Sequence, residues 1–248
     1  MKVKLKEGER LDDLQIDGLM LIQNPDYFCF SLDAVLLSDF VSPKSKSKVL
    51  DLGTGNGVLA HLIWAKYNLN KVCGIDIQGE VIDMAKRSAI YNGLQDKINF
   101  KELDLNFALK EFGSESFDYI ISNPPYAKLG TAKVNPNKAL AIARHEVKVT
   151  LEGIVKVSSQ LVKYGGKVGY IYPTRRLSEL IYLMEEYNLR PKRMRLIHPR
   201  ANKEANLVLV EGAKGGGSGL KILSPIFVYG DNGEYTEDIK SIYYPEGR

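Results

Sequence analysis

The sequence has few of the residues that build metal centres and disulfide frameworks. Its 248 residues include two cysteines, Cys29 and Cys73, which are far apart along the chain, and three histidines. Neither cysteine has the spacing of a metal-ligand pair, and the histidines are not paired at helical spacing. We therefore expect neither a metal site nor a disulfide framework.

Long apolar stretches are also absent. No run reaches the roughly 18 apolar residues of a membrane-spanning helix. The segment from Met1 to Asp13 is charged and has no apolar core of the kind that a secretory signal carries. These absences predict a soluble, cytoplasmic protein without a membrane partner.

The composition that is present is ordinary for a globular protein. Hydrophobic residues make up 44% of the chain and charged residues 26%, and the length suits one α/β domain with additions or two small domains. The formal net charge is +4. This mildly basic balance is compatible with a nucleic-acid partner but is weak evidence for one.

The order of apolar segments and turns divides the chain into three parts. Residues 1–47 form an N-terminal extension, in which a helix is predicted from Leu32 to Phe40 after the N-cap candidate Ser31. Residues 48–211 alternate between strands and helices, which is typical of a parallel α/β sheet. Residues 212–248 are predicted to form a loop and a short extended tail.

A glycine-rich turn joins the first strand of residues 48–211 to its first helix. Gly53, Gly55 and Gly57 alternate after this strand, and Asp76 ends the next strand, twenty-one residues beyond Gly55. In nucleotide-binding α/β proteins such glycines let the backbone approach the ligand, and the acid binds ribose hydroxyls. A tight turn followed by a helix-capping aspartate is the alternative interpretation.

The amino-acid sequence of the turn favours one class of nucleotide ligand. A dinucleotide site favours Gly-x-Gly-x-x-Gly, whereas here the glycines occupy alternate positions and Asp51 precedes them. An acidic loop suits a ligand with a nucleoside and a cationic group, and S-adenosylmethionine has both. Asp104, at the end of the third strand, is placed to accept a hydrogen bond from the adenine amino group, although a solvated loop acid has the same pattern.

A proline-containing turn ends the fourth strand. Asn123, Pro124, Pro125 and Tyr126 follow the apolar strand Phe117–Ser122. Prolines lack a backbone donor and fix φ, so the strand ends in a stiff turn. In parallel α/β sheets the ligand lies at the carboxyl ends of the strands, which is where this turn belongs. Taken alone, an Asn-Pro-Pro sequence is more typical of a rigid turn without chemistry.

Together, the glycine turn, Asp76, Asp104 and the Asn-Pro-Pro-Tyr tetrapeptide resemble the class I S-adenosylmethionine-dependent methyltransferases. The resemblance covers about residues 45–211. It implies an α/β fold, a Rossmann-like seven-stranded mixed sheet in the order 3-2-1-4-5-7-6 with the last strand antiparallel and helices on both faces. It also implies S-adenosylmethionine as the cofactor and methylation of a planar amine or amide nitrogen.

The flanking segments are similar to the bacterial tRNA adenine-N6 methyltransferases that modify an anticodon-loop adenine in a valine tRNA. The similar segments are 28–37, 143–146 and 208–211. This resemblance implies a tRNA substrate, and it implies that the N-terminal extension completes the cofactor pocket through Leu32 and Asp33. We expect the protein to be a monomer.

The predicted site residues come from strand ends, loops and the N-terminal extension. The cofactor-binding set is Leu32, Asp33, Asp51, Gly53, Gly55, Gly57, Asp76, Ile77, Asp104, Leu105 and Asn123. The set predicted to contact RNA is Lys128, Arg144, His145, Arg175 and Arg200. A solvated surface charge is the alternative for each basic residue of the second set, and a structural hydrogen bond is the alternative for His145.

The tetrapeptide suits methylation of a poorly nucleophilic nitrogen. The lone pair of an adenine amine is delocalised into the ring, and two acceptors that take both amine hydrogens draw the nitrogen toward sp3 geometry. The Asn123 side-chain oxygen and the Pro124 carbonyl are predicted to be these acceptors, on a turn stiffened by Pro125. Tyr126 is predicted to stack on a base that has left its helical stack. In-line transfer then depends mainly on positioning.

Other functions fit parts of this pattern. A glutamine amide has the same planar nitrogen, so a protein glutamine-amide methyltransferase is an alternative, as is an enzyme acting on rRNA. An RNA-binding module with a degenerate cofactor site is disfavoured by the complete set of acids and glycines. A dehydrogenase is disfavoured by the spelling of the glycine turn.

Overall fold

A mostly parallel β-sheet with helices on both faces forms the centre of the computed structural model, which describes residues 3–27, 29–124, 126 and 150–243. The strands are β1 (Arg10–Asp13), β2 (Met20–Gln23), β3 (Lys48–Leu52), β4 (Lys71–Asp76), β5 (Ile98–Glu102), β6 (Phe117–Ser122), β7 (Val162–Pro173), β8 (Leu189–His198), β9 (Leu207–Lys214), β10 (Lys221–Ile222) and β11 (Ile226–Phe227). The helices are α1 (Leu32–Phe40), α2 (Val58–Tyr67), α3 (Gly79–Tyr91), α4 (Ala108–Phe112), α5 (Leu151–Leu161), α6 (Leu177–Glu186) and α7 (Glu237–Tyr243). The predicted α/β class is confirmed.

The strand order places a crevice in the middle of the sheet. The order is β10-β8-β9-β7-β6-β3-β4-β5, and β11 also pairs with β8. β3 to β7 pair in parallel, whereas β9 runs antiparallel to both β7 and β8. The short strands β10 and β11 extend the sheet beyond the seven strands predicted. β3 lies between β4 and β6, so the strand order reverses there: β4 and β5 extend the sheet to one side of β3, and β6 and β7 extend it to the other. Such a switch point opens a crevice at the carboxyl ends of the strands.

The central strands are apolar because both faces of the sheet are covered. In β3, Val49 packs on the face that carries α1, α2 and α3, whereas Leu50 packs on the face that carries α5 and α6. In β6, Ile121 and Ile120 divide in the same way, and all four side chains are fully buried. Burying each such side chain contributes about 1.5–3 kcal/mol. These two strands are therefore a rigid base for the turns that follow them.

The N-terminal extension packs on the face that carries α3. β1 and β2 form an antiparallel hairpin. Ile22 in β2 packs against Val81 and Met84, and its backbone N–H donates to Ser88 Oγ (2.9 Å). After the hairpin, α1 spans the residues predicted for it and packs against α2. The extension is thus anchored to α3, and the division of the chain at residues 47 and 211 stays a prediction.

The C-terminal segment is not simply extended, which corrects the prediction for residues 212–248. β9 continues to Lys214, β10 and β11 lengthen the sheet edge, and α7 buries Ile239 in the same core as α1. α7 has seven residues, which are too few for a clear helical period in the sequence. Within the described ranges, no helix is both long and apolar enough to cross a membrane.

Candidate active site

The glycine turn between β3 and α2 lies at the crevice. Gly53, Gly55 and Gly57 have φ angles of 72°, 55° and 83°, which side-chain-bearing residues rarely adopt. The Gly53 N–H donates to the Ile75 carbonyl (2.9 Å), which ties the turn to β4. A Cβ at Gly53 or Gly55 would meet no atom within 4 Å, whereas a Cβ at Gly57 would lie 2.5 Å from Phe100 Cζ. The first two glycines therefore leave room for a ligand, and the third is required for packing.

Asp76 ends β4 beside the glycine turn. Its Oδ2 accepts from the Gly55 N–H (3.0 Å), and its Oδ1 accepts from the Gln78 N–H (3.0 Å). Each carboxylate oxygen can accept more than one hydrogen bond. Ile77 follows and is half-buried, as Asp76 is. This geometry is the one expected of a ribose-binding acid, and the binding role of both residues stays a prediction.

Asp51, the acid that precedes the glycines, is buried, with 1% of its surface exposed. Thr54 Oγ1 donates to Asp51 Oδ2 (2.6 Å). Burial raises the pKa of Asp51 to about 7; the Thr54 hydrogen bond opposes this rise, and the charge of Asp76 adds to it. Near neutral pH the carboxyl group is therefore divided between its protonated and ionised forms, and a cationic ligand favours the ionised form.

Asp104 and Leu105 follow β5. The Leu103 N–H donates to the Asp76 carbonyl (2.8 Å), which brings the ends of β4 and β5 together. Asp104 caps a short 3-10 turn, because its Oδ1 accepts from the N–H and the side-chain Nδ2 of Asn106 (2.9 Å each). Leu105 is buried. The structure therefore gives Asp104 a capping role, and its contact with adenine stays a prediction.

The turn after β6 is tied to β3. Ser122 Oγ donates to the Leu52 carbonyl (2.7 Å), so Asn123 leaves the sheet next to the glycine turn. Pro124 is buried, and the Tyr126 hydroxyl lies 2.8 Å from Asn123 Oδ1. The structure thus brings Asn123, Pro124 and Tyr126 together at the predicted edge of the sheet.

Asp33 reaches this turn from the first turn of α1. Its Oδ2 lies 2.7 Å from the Tyr126 hydroxyl. Burial raises the pKa of Tyr126 far above its ordinary value, and the charge of Asp33 and its hydrogen bond add to the rise, so the phenol keeps its proton. Leu32, beside Asp33, is half-buried and packs against the core. The structure places Asp33 at the tetrapeptide, and the cofactor contacts predicted for Leu32 and Asp33 stay predictions.

Ser31 occupies the N-cap position of α1, as predicted, but its hydroxyl makes no capping hydrogen bond. The hydroxyl is buried without a hydrogen-bond partner among the described residues. Buried hydroxyl groups are normally bonded. Ser31 therefore places this buried hydroxyl group, which lacks a described partner, close to Asp33 in the chain.

Tyr172, which no sequence motif predicts as a site residue, packs against Tyr126. The two rings meet edge to face with their centroids 6.0 Å apart. Arg176 donates to the Tyr172 hydroxyl, and its guanidinium also pairs with Glu179 through two hydrogen bonds (2.7 and 2.8 Å). In the sequence Tyr172 is one more residue of an apolar strand, so no local signal distinguishes it.

Gln23 and Asn56 are further site residues that were not predicted. Gln23 is buried at the end of β2, and its Oε1 accepts from Asn56 Nδ2 (3.1 Å) and from the Phe30 N–H (2.8 Å). These hydrogen bonds tie the segment before α1 to the glycine turn. The one signal in the sequence is a polar residue after the apolar run 19–22, and many strand ends share it.

The residues predicted to contact RNA fall into two groups. Arg175 and Arg200 are exposed and follow β7 and β8. Both strands run antiparallel to β9, so both arginines lie at the edge of the sheet that carries the tetrapeptide. The other residues of this set, Lys128, Arg144 and His145, lie outside the described residues, as does Pro125 of the tetrapeptide. In the part of the chain that is described, no three metal-ligating side chains cluster.

The fold and this site are typical of nucleotide-binding α/β proteins, because a glycine turn, strand-end acids and the Asn123 amide meet at the switch point of a parallel sheet. The chain belongs to the methyltransferase domain family, which matches residues 43–186. This membership confirms the predicted methyltransferase class and S-adenosylmethionine as the cofactor.

Curated relatives share modest sequence identity with this chain. A protein from Porphyromonas gingivalis named tRNA1(Val) (adenine(37)-N6)-methyltransferase is 29% identical over 185 residues, which are 72% of each chain. A protein of the same name from Aeromonas salmonicida is 25% identical over 214 residues, 86% of this chain and 87% of that protein.

Solved structures share the fold at lower identity. A predicted O-methyltransferase from Agrobacterium tumefaciens has a TM-score of 0.67 at 23% identity and covers 85% of this chain and 95% of its own. Geranyl diphosphate C-methyltransferase from Streptomyces coelicolor, solved with S-adenosyl-L-homocysteine, has a TM-score of 0.55 at 13% identity and covers 73% and 78%. Because the acceptor atoms in these names differ, the sheet does not identify the acceptor.

Proposed function

We propose that this protein transfers a methyl group from S-adenosylmethionine to N6 of an adenine in tRNA. The observation that carries the proposal is the position of the Asn123 amide, which lies at the carboxyl end of β6 beside the glycine turn. The names of the two curated relatives support the choice of acceptor, since both are tRNA adenine-N6 methyltransferases.

The ends of β3, β4 and β5 hold the cofactor. Asp76 accepts hydrogen bonds from the ribose hydroxyls, and Asp104 accepts one from the adenine amino group. The open space at Gly53 and Gly55 lets the ligand approach the backbone. Asp51 balances the cationic end of the ligand, and when bound the cofactor supplies an electrophilic methyl group. The other residues proposed to line the cofactor pocket are Leu32, Gly57, Ile77, Leu105 and Asn123.

Two oxygen acceptors activate the adenine amine. The Asn123 side-chain oxygen and the Pro124 carbonyl accept hydrogen bonds from its two N–H groups, which concentrates the lone pair on the nitrogen. When the cofactor is bound, its methyl group would pass to N6 as the carbon–sulfur bond breaks, and one amine proton would leave to water. The base reaches this pocket out of its stack and packs on the Tyr126 ring. Positioning supplies most of the acceleration.

The tRNA lies across the carboxyl edge of the sheet. Arg175 and Arg200 are exposed there and contact phosphates. From the sequence, Lys128 and Arg144 are assigned the same role, and His145 is assigned a place beside the RNA. Base-specific RNA enzymes act on loops whose bases can leave the stack, and an anticodon loop offers such bases. The edge therefore suits a folded RNA that presents one unpaired adenine.

Mass spectrometry of nucleosides from wild-type and deletion-strain tRNA tests this function. We expect N6-methyladenosine to disappear from one tRNA in the deletion strain, to return with the wild-type gene, and not to return with Asn123→Ala. Losing a preorganised hydrogen-bonding group at the reacting atom lowers kcat by about 100-fold or more. Asn70→Ala, at an exposed position, is the matched control and is expected to restore the modification.

Transfer of labelled methyl in vitro separates the alternatives. Label in a glutamine-containing peptide and none in tRNA would assign a protein amide methyltransferase. Label in rRNA alone would reassign the RNA substrate. Either result contradicts the proposed acceptor while leaving the methyltransferase class intact.

A further inference from the structure

We infer that Asp33 is a positioning residue for methyl transfer, which acts through Tyr126 to turn the Asn123 amide so that its oxygen faces the acceptor nitrogen. The inference rests on the proposed function, because it explains how the acceptor amide of that site is oriented. It assigns Asp33 a role different from the cofactor contact implied by the sequence resemblance.

The Tyr126 hydroxyl has one hydrogen and two oxygen neighbours. Asp33 Oδ2 lies 2.7 Å from it, and Asn123 Oδ1 lies 2.8 Å from it. A carboxylate is the better acceptor, since hydrogen bonds to a charged group are about twice as strong as neutral ones. The hydroxyl hydrogen therefore points to Asp33, and the Tyr126 oxygen presents a lone pair to the Asn123 amide.

A lone pair at this distance favours a donor in place of an oxygen. Rotation of the Asn123 amide by about 180° exchanges the positions of Oδ1 and Nδ2, so that Nδ2 donates to the Tyr126 oxygen. Oδ1 then points away from Tyr126 and accepts from the substrate amine. Without the Asp33 carboxylate, the hydroxyl donates to Oδ1 and keeps this oxygen against Tyr126.

The surroundings hold the three side chains in place. Tyr126 is fixed edge to face against Tyr172, whose hydroxyl accepts from Arg176. Asp33 lies in the first turn of α1, and Gln23 ties the segment before α1 to the glycine turn. The hydroxyl of Tyr126 therefore has few positions other than between Asp33 and Asn123.

We call the hydrogen-bonded chain from Asp33 through Tyr126 to Asn123 the relay. A double-mutant cycle of Asp33→Asn, Tyr126→Phe and the double variant tests it. In Asp33→Asn the new amide is a weaker acceptor and can itself donate, so the hydroxyl hydrogen turns to Asn123. We expect kcat at saturating substrates to fall about tenfold or more, because the acceptor oxygen is misplaced. The dissociation constant of S-adenosylmethionine and the KM for RNA are expected to change less than about twofold. In the Tyr126→Phe background, Asp33→Asn is expected to have no further effect on kcat.

A direct cofactor contact of Asp33 predicts the opposite pattern. Calorimetry would then show weaker S-adenosylmethionine binding in Asp33→Asn, with and without the Tyr126 hydroxyl, and that result overturns the relay. Additive effects on kcat overturn it as well. Asp96→Asn, at an exposed position, is the matched control, and equilibrium unfolding of all the variants shows whether a change in rate reflects a change in fold.

The cycle is measured with whichever acceptor the wild-type protein methylates, tRNA or a glutamine-containing peptide. A protein that methylates only the peptide contradicts the proposed function, and the coupling between Asp33 and Tyr126 still decides the relay. A wild-type protein that methylates neither acceptor overturns both.

Discussion

Among single residues, the buried acid under the glycine turn has the clearest consequence for stability. Burial raises the pKa of Asp51 to about 7, so the folded protein holds this proton more tightly than the unfolded chain does. The stability that it contributes is fully present below the ordinary pKa of an aspartate and is lost as the pH rises through about 7. Asp51→Asn keeps an acceptor for Thr54 and cannot ionise. We expect the free energy of unfolding of the variant, relative to that of the wild type, to increase by about 3 kcal/mol as the pH rises from about 5 to about 8.

Urea unfolding of both proteins across this pH range measures the change. The difference between them isolates Asp51, because every other group titrates in both proteins. A difference in the free energy of unfolding that stays constant with pH would show that Asp51 ionises in the folded state as it does in the unfolded chain.

The same residue links ligand binding to pH. If the ionised form of Asp51 balances the cationic end of S-adenosylmethionine, binding releases a proton from the wild-type protein. The ratio of wild-type to Asp51→Asn affinity is then expected to rise about tenfold from about pH 6 to pH 8. Calorimetry at each pH measures this ratio, in which the titration of the ligand's own amino group cancels. A ratio that does not change with pH would show that the charge of Asp51 does not contribute to binding of the ligand.

Among elements, the contact of α2 with β5 depends on Gly57. A Cβ there would lie 2.5 Å from Phe100 Cζ, at a φ of 83°. Gly93 has a similar φ of 70° but no atom within 4 Å of the position that its Cβ would take. We expect Gly93→Ala to lower the free energy of unfolding by about 1–2 kcal/mol, from backbone strain alone. Gly57→Ala is expected to lower it by about 1–3 kcal/mol more, because the new methyl group overpacks against Phe100. Equal free energies of unfolding for the two variants would mean that Phe100 moves aside freely.

The unit from β3 to β4 could be predicted from the sequence because its signals are local. The alternate glycines need positive φ, and the apolar run of β3 shows a strand buried on both faces. Asp76 follows a second such run, so its position at a strand end follows from the pattern. Asn123 and Tyr126 were found in the same way, since the prolines between them mark the end of β6.

The contacts that complete the site could not be predicted in this way. Gln23 meets Asn56, and Tyr126 meets Tyr172, only because β2 and β7 are brought to the crevice by tertiary packing. In the sequence Gln23 and Tyr172 are ordinary strand positions. Asp33 was singled out by resemblance, but its hydrogen bond to Tyr126 joins α1 to the turn after β6, which no spacing in the chain reveals.

Across the whole molecule, the position of the basic residues has more bearing on RNA binding than their number. The net charge of +4 is small, but Arg175 and Arg200 are exposed at the edge of the sheet that carries the tetrapeptide. Lys71 is exposed at the start of β4, which is the opposite edge. A charge reversal at the first edge removes phosphate contacts, whereas a reversal at the second edge makes the same change in net charge without touching the proposed RNA path.

We expect Arg175→Glu and Arg200→Glu each to weaken tRNA binding by roughly three- to tenfold at low salt. Each reversal is also expected to lower the slope of log affinity against log salt by about 1, since fewer counterions are released. Filter binding over about 50–200 mM salt measures both quantities, and S-adenosylmethionine affinity in the same variants is expected to stay unchanged. Lys71→Glu is expected to bind tRNA as the wild type does. If it weakens binding equally, net charge and not the carboxyl edge attracts the RNA.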